Sequence, residues 1–277
     1  MKLAIILGTL TLAAGAQTPD VADIMARVGH NQTLAQEARK NFTYHQQQLL
    51  RMNRGNGKLA REEHREYDVS PAPSGFHKEL SHFEGKYQAN GKFVSYDRPG
   101  YEYKDMDIDG DLINDLSEDM TNDKGSRDGI ACDLFPLTEK EQRKYKFQLL
   151  GRQQLNGREV YRIKFEPRPH QETDEAAWKG EAFIDAAEFQ PVRVQTSLAM
   201  KIPLGVKVLL GTDIRGLGFS VSYGRFEDGI WFPVSYGGEF DVRAVFFYKR
   251  KISVAMTNTA FRRTQVASNV TYIAQEK

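Results

Sequence analysis

A chain of 277 residues whose 38 basic side chains balance 37 acidic ones, for a formal charge of +1, has no global electrostatic preference for nucleic acid or anionic membrane. Its 40% hydrophobic and 27% charged residues are the composition of an ordinary globular protein and exclude disorder. The single cysteine, Cys132, excludes an internal disulfide, so the fold has to rest on its core.

Lys2, the apolar stretch Leu3 to Ala14 and the small residues Ala14-Gly15-Ala16 form the pattern of a secretory signal. Residues 1–16 are therefore expected to be removed, leaving 17–277 as soluble exported protein of a size for one all-β domain or two small ones. The apolar stretch is shorter than the roughly 20 residues of a membrane span, and nothing later approaches that length. A lipid-anchored precursor would carry cysteine where Gln17 stands. Asp20 is a candidate N-cap, and Val21, Ile24, Met25 and Val28 recur at helical spacing. They predict an amphipathic helix that breaks or bends at Gly29 and resumes through Leu34 and Ala38.

At Phe42 the period changes to two, and Phe42, Tyr44, Gln46, Gln48, Leu50 and Met52 share a face up to the turn Arg54-Gly55-Asn56-Gly57. The run Leu59 to Val69 is polar on both faces and reads as a solvated or edge strand. Phe76 to Tyr87 turns at Asn90-Gly91 into Lys92 to Tyr96, completing an antiparallel meander. Acidic residues then dominate from Asp105 to Asp128, with Leu112, Ile113, Leu116 and Met120 at helical spacing. This segment predicts a surface helix or lid followed by a loop, Asn122 to Gly129. Thr138 to Glu141 is a capping box opening a short helix. Strands are expected at Phe147 to Leu150, at Arg158 to Glu166 after the turn Asn156-Gly157, at Gly180 to Ala186 and at Pro191 to Met200, with a polar excursion from Glu172 to Lys179.

The longest alternation runs from Phe219 to Tyr248. Phe219, Val221 and Tyr223 share one face before Asp228-Gly229. Beyond it Ile230, Phe232, Val234, Tyr236, Phe240, Val242, Ala244, Phe246 and Tyr248 keep one register, with Gly238 in the vacant slot. A tight hairpin at Asp228-Gly229 sets Arg225 opposite Phe232, Tyr223 opposite Val234 and Val221 opposite Tyr236. Trp231 and Phe226 then face each other on the other side. The unbroken phase predicts one bent strand from Ile230 to Tyr248, with the bend at Gly237-Gly238.

Catalytic motifs are missing. Asp105, Asp107 and Asp109 with Gly110 and Asp111 begin like a calcium loop, but Leu116 stands where a bidentate glutamate is required. The better reading is a solvated acidic face. His64, His77 and His82 do not match the helical His-Glu-x-x-His arrangement and read as surface histidines. There is no Gly-x-Ser-x-Gly elbow, and the Gly216-Leu217-Gly218 segment lacks the third glycine and the helix of a dinucleotide fingerprint. The expectation is thus no catalytic residue, no metal and no cofactor. Lys249-Arg250-Lys251 reads as a solvated turn.

Gly180-Glu181-Ala182-Phe183-Ile184-Asp185, Pro191-Val192-Arg193-Val194 and Gly229-Ile230-Trp231-Phe232-Pro233, in this order behind a signal, a helix, a meander and an acidic insert, give the chain its resemblance to a known family. It resembles the exported outer-membrane lipoprotein-sorting proteins of the LolA and LolB type and, more distantly, envelope-stress sensors of the RseB type. The resemblance spans most of the mature chain and rests on scaffold motifs. It implies a single domain, 17–277, in the periplasm of a Gram-negative-type envelope, with an α+β fold, mainly antiparallel β, in which an incomplete, half-open barrel wraps around helices. In such carriers helices and an arginine touching the lid close the cavity; Leu112 to Met120 takes the place of the lid, and no arginine is matched.

Together these readings point to a non-enzymatic periplasmic carrier. An acyl chain of a lipoprotein, or another lipid, would lie on an apolar face formed by Val221, Tyr223, Phe232, Val234, Phe240 and Phe246. The alternative is a sensor or interaction module whose inner face is filled core and whose partner is an envelope protein. A third reading, a calcium-stabilised enzyme, depends on Asp105, Asp107 and Asp109. Neither nucleic acid nor a stable membrane span is expected.

Overall fold

The computed structural model describes residues 19–72, 75–121, 137–169, 178–199, 212–216, 218–226, 229–244 and 248–264. The signal segment 1–16, the loop Asn122 to Gly129, Cys132, residues 172–177 of the polar excursion, Asp228 and Phe246 lie outside them.

In chain order come α1 (Val21–Arg39), β1 (Phe42–Arg54), β2 (Leu59–Ala72), β3 (Gly75–Ala89), β4 (Lys92–Tyr96), α2 (Ile108–Thr121), α3 (Glu139–Gln142) and β5 (Tyr145–Leu155). These are followed by β6 (Arg158–Pro167), β7 (Trp178–Asp185), β8 (Pro191–Leu198), β9 (Thr212–Arg215), β10 (Ser220–Arg225), β11 (Trp231–Ala244) and β12 (Tyr248–Arg263). All twelve strands join one sheet in the order β4-β3-β2-β1-β12-β11-β10-β8-β7-β6-β5, with β9 paired to β11. The neighbours are antiparallel and most are consecutive hairpin strands; β12 returns to β1 and joins the two halves, β10 pairs with β8 past β9, and β4 and β5 stand at the ends of the open sheet. No described helix is long and apolar enough to cross a membrane.

Two of the predicted turns explain their sequence. Asn90-Gly91 has φ of 49° and 77°, and Asn156-Gly157 has φ of 53° and 78°. A two-residue hairpin that matches the twist of its strands needs both central residues left-handed, and Asn-Gly is the pair that adopts this most readily. The N-cap half of the capping box forms as well: the Thr138 hydroxyl accepts from the Glu141 amide at the start of α3, while the Glu141 carboxylate pairs with Lys144.

The main core joins α1 and α2 to the sheet. Ile24, Met25 and Val28 of α1 and Ile113 of α2 pack with Leu50, Met52, Ile163, Phe165, Val194, Val221, Tyr236, Phe240, Ile252 and Val254 from the strands. A smaller cluster holds Val160, Phe183, Val192 and Trp231.

Four expectations need correction. Helix α1 does not break at Gly29 but runs through it. Glycine is required there because α3 crosses at this point, and a Cβ would stand 2.9 Å from Glu139 Cγ and 3.0 Å from Gln142 Nε2. Strand β2 is neither solvated nor at an edge: it lies between β1 and β3, and its charges Arg61, Glu63 and Arg65 are buried. The register of β10 on β11 holds at Val221 opposite Tyr236 but then slips, leaving Tyr223 opposite Pro233 and Arg225 opposite Trp231. An extra residue on β11 between Pro233 and Ser235 makes a bulge, which alternation alone cannot reveal. Phe226 consequently packs edge-on against Phe232, at 5.3 Å between ring centres, rather than against Trp231. Finally, the strand that starts at Trp231 ends at Ala244, and Tyr248 opens the antiparallel β12, with Ala244 opposite Tyr248.

The diglycine does lie within one continuous strand, as its phase implies. A Cβ at Gly238 would meet the Gly218 carbonyl oxygen at 2.2 Å, and one at Gly237 the Val254 oxygen at 2.7 Å. Backbone, not a yielding side chain, is the obstacle. Gly238→Ala should therefore lower the unfolding free energy by about 2–3 kcal/mol in urea titration, beyond the usual cost of a surface substitution.

Candidate ligand-binding face

The Asp185 carboxylate organises the β7–β8 turn, and that turn in turn holds α1. Asp185 Oδ1 accepts from the amides of Ala187 and Glu188 at 2.9 and 2.8 Å, and Oδ2 from Arg158 Nη1 at 3.0 Å. Phe189 then takes a φ of 53°. From α1, Asn31 donates to the carbonyls of Glu188 and Phe189, Gln32 donates to Gln190, and the Arg27 guanidinium lies 4.6 Å from the Phe189 ring centre. Glu188 also accepts from the Trp231 indole and from Arg225. The scaffold motifs Ile184-Asp185 and Trp231-x-Pro233 thus meet at one place, through Glu188.

Helix α2 is fixed at its start by two ion pairs. Asp107 receives Arg61 Nη1 at 2.5 Å, while Asp109 takes a two-pronged pair from Arg250, at 2.8 and 2.9 Å, and the Tyr248 hydroxyl at 2.7 Å. These partners sit ahead of and within the first turn, where negative charge also suits the helix dipole. Arg61 continues into a buried network. It donates to the Tyr96 hydroxyl and the Tyr101 carbonyl, Tyr96 donates to Glu63 at 2.6 Å, and Arg65 closes on the other Glu63 oxygen at 2.5 and 2.8 Å. Burial, and next the Glu63 carboxylate, push the Tyr96 phenol far above the ordinary tyrosine value. Burial and then Asp109 do the same to Tyr248. Farther along α2, Ser117 donates to Gln48, which donates to Gln46, which donates to Asn258. One half of the covered surface is thus apolar and the other a chain of paired polar groups.

The six residues read as an apolar face separate into distinct surroundings. Val221 is fully buried and Phe240 is 4% exposed, both in the main core. Tyr223 is half-buried and packs against the main core and the smaller cluster. Phe232, 2% exposed, belongs to an aromatic group with Phe42 at 4.9 Å and Phe261 at 4.4 Å between ring centres. Val234 is half-buried beside Gly224, whose lack of a side chain makes room for it. At Phe232 an apolar cleft opens between Phe42, Tyr44, Phe76, Pro233 and Phe261, with Arg39 and Lys40 also on its wall. Its cavity volume is about 20 Å³, room for about one water-sized group.

The calcium-like aspartates are used inside the protein, since Asp107 and Asp109 are paired with arginines. Arg250, read as part of a solvated turn, is one of those partners. Sequence reasoning found no arginine against the insert, whereas Arg61 and Arg250 both hold it. The signal that would have found the buried network is Arg61-x-Glu63-x-Arg65: alternate residues of a strand share a face, and here that face carries charges of opposite sign in sequence.

A mostly antiparallel open sheet covered by two helices is the class of protein that this arrangement defines. No protein-family model matches the chain, and no curated protein is similar to it in sequence. Among solved structures it is similar to an outer-membrane lipoprotein-sorting protein domain from Vibrio parahaemolyticus, at 10% identity and a TM-score of 0.35, over 88% of this chain and 95% of that one. It is also similar to a LolA superfamily protein from Nitrosomonas europaea, at 8% identity and a TM-score of 0.34, over 85% and 94% of the two chains. A third likeness is to the MucA/MucB complex of Pseudomonas aeruginosa, at 10% identity and a TM-score of 0.24, over 88% and 100%. These likenesses concern the fold alone.

Two substitutions test how the face is held. Arg61→Met leaves Asp107 buried without its cation and Glu63 with Arg65 alone, and should cost about 3–5 kcal/mol. Hydrogen exchange should show α2 losing protection before the sheet. At Asp185 burial alone would raise the carboxyl, but the Glu188 amide, Arg158 and the Ala187 amide outweigh it and hold it below the usual value. Its stabilisation is therefore present above the unfolded value of about 3.9 and lost as pH falls through the lower folded value. Asp185→Asn should cost about 1–2 kcal/mol at pH 7 and flatten the acid limb of stability against pH.

Proposed function

We propose that this chain is an exported, non-catalytic carrier of the cell envelope, a half-open barrel around α1 and α2 that takes up the acyl chain of a lipoprotein or another lipid. The observation that carries this reading is the apolar cleft at Phe232, where the aromatic end of the covered face opens to solvent beside Arg39 and Lys40. An amphiphile would meet both of its halves there: aromatic walls for the chain and, for an anionic head, Lys40, which would have to exchange its pair with Glu37. Its present volume admits only the chain's tip. Uptake needs the core around Val221 and Phe240 to part, and α2 is the element that would move: past its two ion pairs it meets the main core through Ile108, Leu112, Ile113 and Leu116 and reaches Gln48 through Ser117. Each methylene leaving water contributes about 0.8 kcal/mol toward that opening. Val221, Tyr223, Phe232, Val234, Phe240 and Phe246 would then line the path.

A second reading is favoured by the burial of Val221 and Phe240 beneath the protein's own side chains. A face already filled suits a sensor or interaction module whose partner is another envelope protein.

Delipidated protein titrated with a fluorescent fatty acid separates the two. The carrier reading expects saturable binding, weakened at least about tenfold by Phe232→Asp, a difference of about 1.4 kcal/mol. Absence of binding, together with native mass spectra that show no co-purified lipid, overturns it in favour of the partner protein.

A further inference from the structure

The histidines that local spacing sets aside come together across β2 and β3. His64 lies opposite Glu84 and Glu66 opposite His82 in the antiparallel ladder. Because alternate residues share a face, these four side chains form a two-by-two patch with the imidazoles on one diagonal and the carboxylates on the other. His82 Nε2 is 3.2 Å from Glu84 Oε1, His64 Nε2 is 3.3 Å from Glu66 Oε1, and the two imidazole centres are 5.9 Å apart. One ligand atom from each of His64, His82 and Glu84 lies within 4.8 Å of the other two.

We propose that this patch binds a divalent transition-metal ion of the zinc class through His64, His82 and Glu84, with Glu66 beside them. Ligands held about 2.0–2.2 Å from a tetrahedral ion are roughly 3.4 Å apart; His82 and Glu84 already stand 3.2 Å apart, and small rotations of the half-exposed His64 and of the two exposed side chains would close the set. Two imidazoles and a carboxylate are the donors that suit zinc or copper and not calcium, which demands oxygen. Strand β2 is interior to the sheet and β3 is laddered to it through both His82 and Glu84, while β4 covers the other side of β3 only from Gly85 onward, so the ligands sit on paired backbone beside an open edge. Glu66 is already oriented from the neighbouring strand, receiving His45 Nε2 at 3.1 Å and Gln47 Nε2 at 3.3 Å. His64 and Glu84 also line an open cleft of about 560 Å³ that reaches Tyr96 and Tyr101, which leaves a coordination position for water or a small anion. The alternative occupant of these lone pairs is the set of histidine–carboxylate pairs alone.

Zinc chloride titrated calorimetrically into the full mature chain decides between them, with cobalt as a spectroscopic substitute. The site predicts one ion per chain and tetrahedral cobalt absorption in the wild type and in the exposed control His77→Ala. In His64→Ala and in His82→Ala it predicts affinity lower by about tenfold or more. Thermal melting without metal confirms that each variant is folded; if His64→Ala is not, His82→Ala and Glu84→Ala, at more exposed positions, carry the test. Lack of saturable binding by the wild type, or equal affinity in His77→Ala and His82→Ala, overturns the proposal.

Discussion

Four charged side chains, Arg61, Glu63, Arg65 and Asp107, lie almost wholly out of water, and the relation of α2 to the sheet depends on their being paired. Two cations and two anions cancel, and the Tyr96 hydroxyl and the Tyr101 carbonyl take up remaining hydrogen bonds. An apolar substitute would stabilise as well or better, because desolvation offsets much of what such pairs gain. What the network adds is position. An apolar patch accepts a helix at many rotations and offsets, whereas a carboxylate that must meet one guanidinium accepts one. The partners lie far apart in sequence, Arg61 with Asp107 and Arg250 with Asp109, so the insert is tied to both β2 and β12 at once.

That tie sets how the covered face can open. Helix α1 is held along its length, by apolar packing in the main core and by its bonds to the β7–β8 turn. Helix α2 is held at one end by ions and along its body by Ile108, Leu112, Ile113 and Leu116 in the main core and by the Ser117–Gln48 hydrogen bond. Exchange of neutral hydrogen bonds with water costs little compared with stripping a buried charge of its partner. On the carrier reading, a hinge beyond Asp109 would leave both ion pairs intact while the rest of α2 parts from the sheet. The aromatic cleft at Phe232 lies at the other boundary of the same region, near the C-terminal end of α1. The histidine patch belongs to a different surface, one that half-exposed and exposed side chains of β2 and β3 share with the solvent. A metal there would leave the apolar face untouched.

Much of this architecture was legible in the chain. Period-two runs located β1, β3, β4, β6, β7 and β8 to within a few residues, since solvent on one face and core on the other write themselves into alternation. Asn90-Gly91 and Asn156-Gly157 were readable because few residues tolerate two successive left-handed positions. The failures have physical causes of their own. Leu59 to Val69 looked solvated because burial of charge depends on partners that a local window does not contain. The β10–β11 register was misplaced because a bulge inserts a residue without changing the polarity pattern around it. Gly29 looked like a helix breaker because the crossing of α3, which requires it, comes more than a hundred residues later. The histidine patch is hidden for the same kind of reason: spacing along one strand carries no sign of side chains that meet across two.

By itself, then, the sequence determined the local geometry: which segments alternate, where the chain must turn and where a helix can be capped. Those properties depend on backbone sterics and on the contrast between apolar and polar neighbours a few residues apart. Tertiary structure alone decided which charges are buried, which strands are interior and which side chains meet. Pairing across the sheet brings together residues dozens to hundreds of positions apart, and the energy of a buried charge or a convergent ligand set resides in the pair and not in either member.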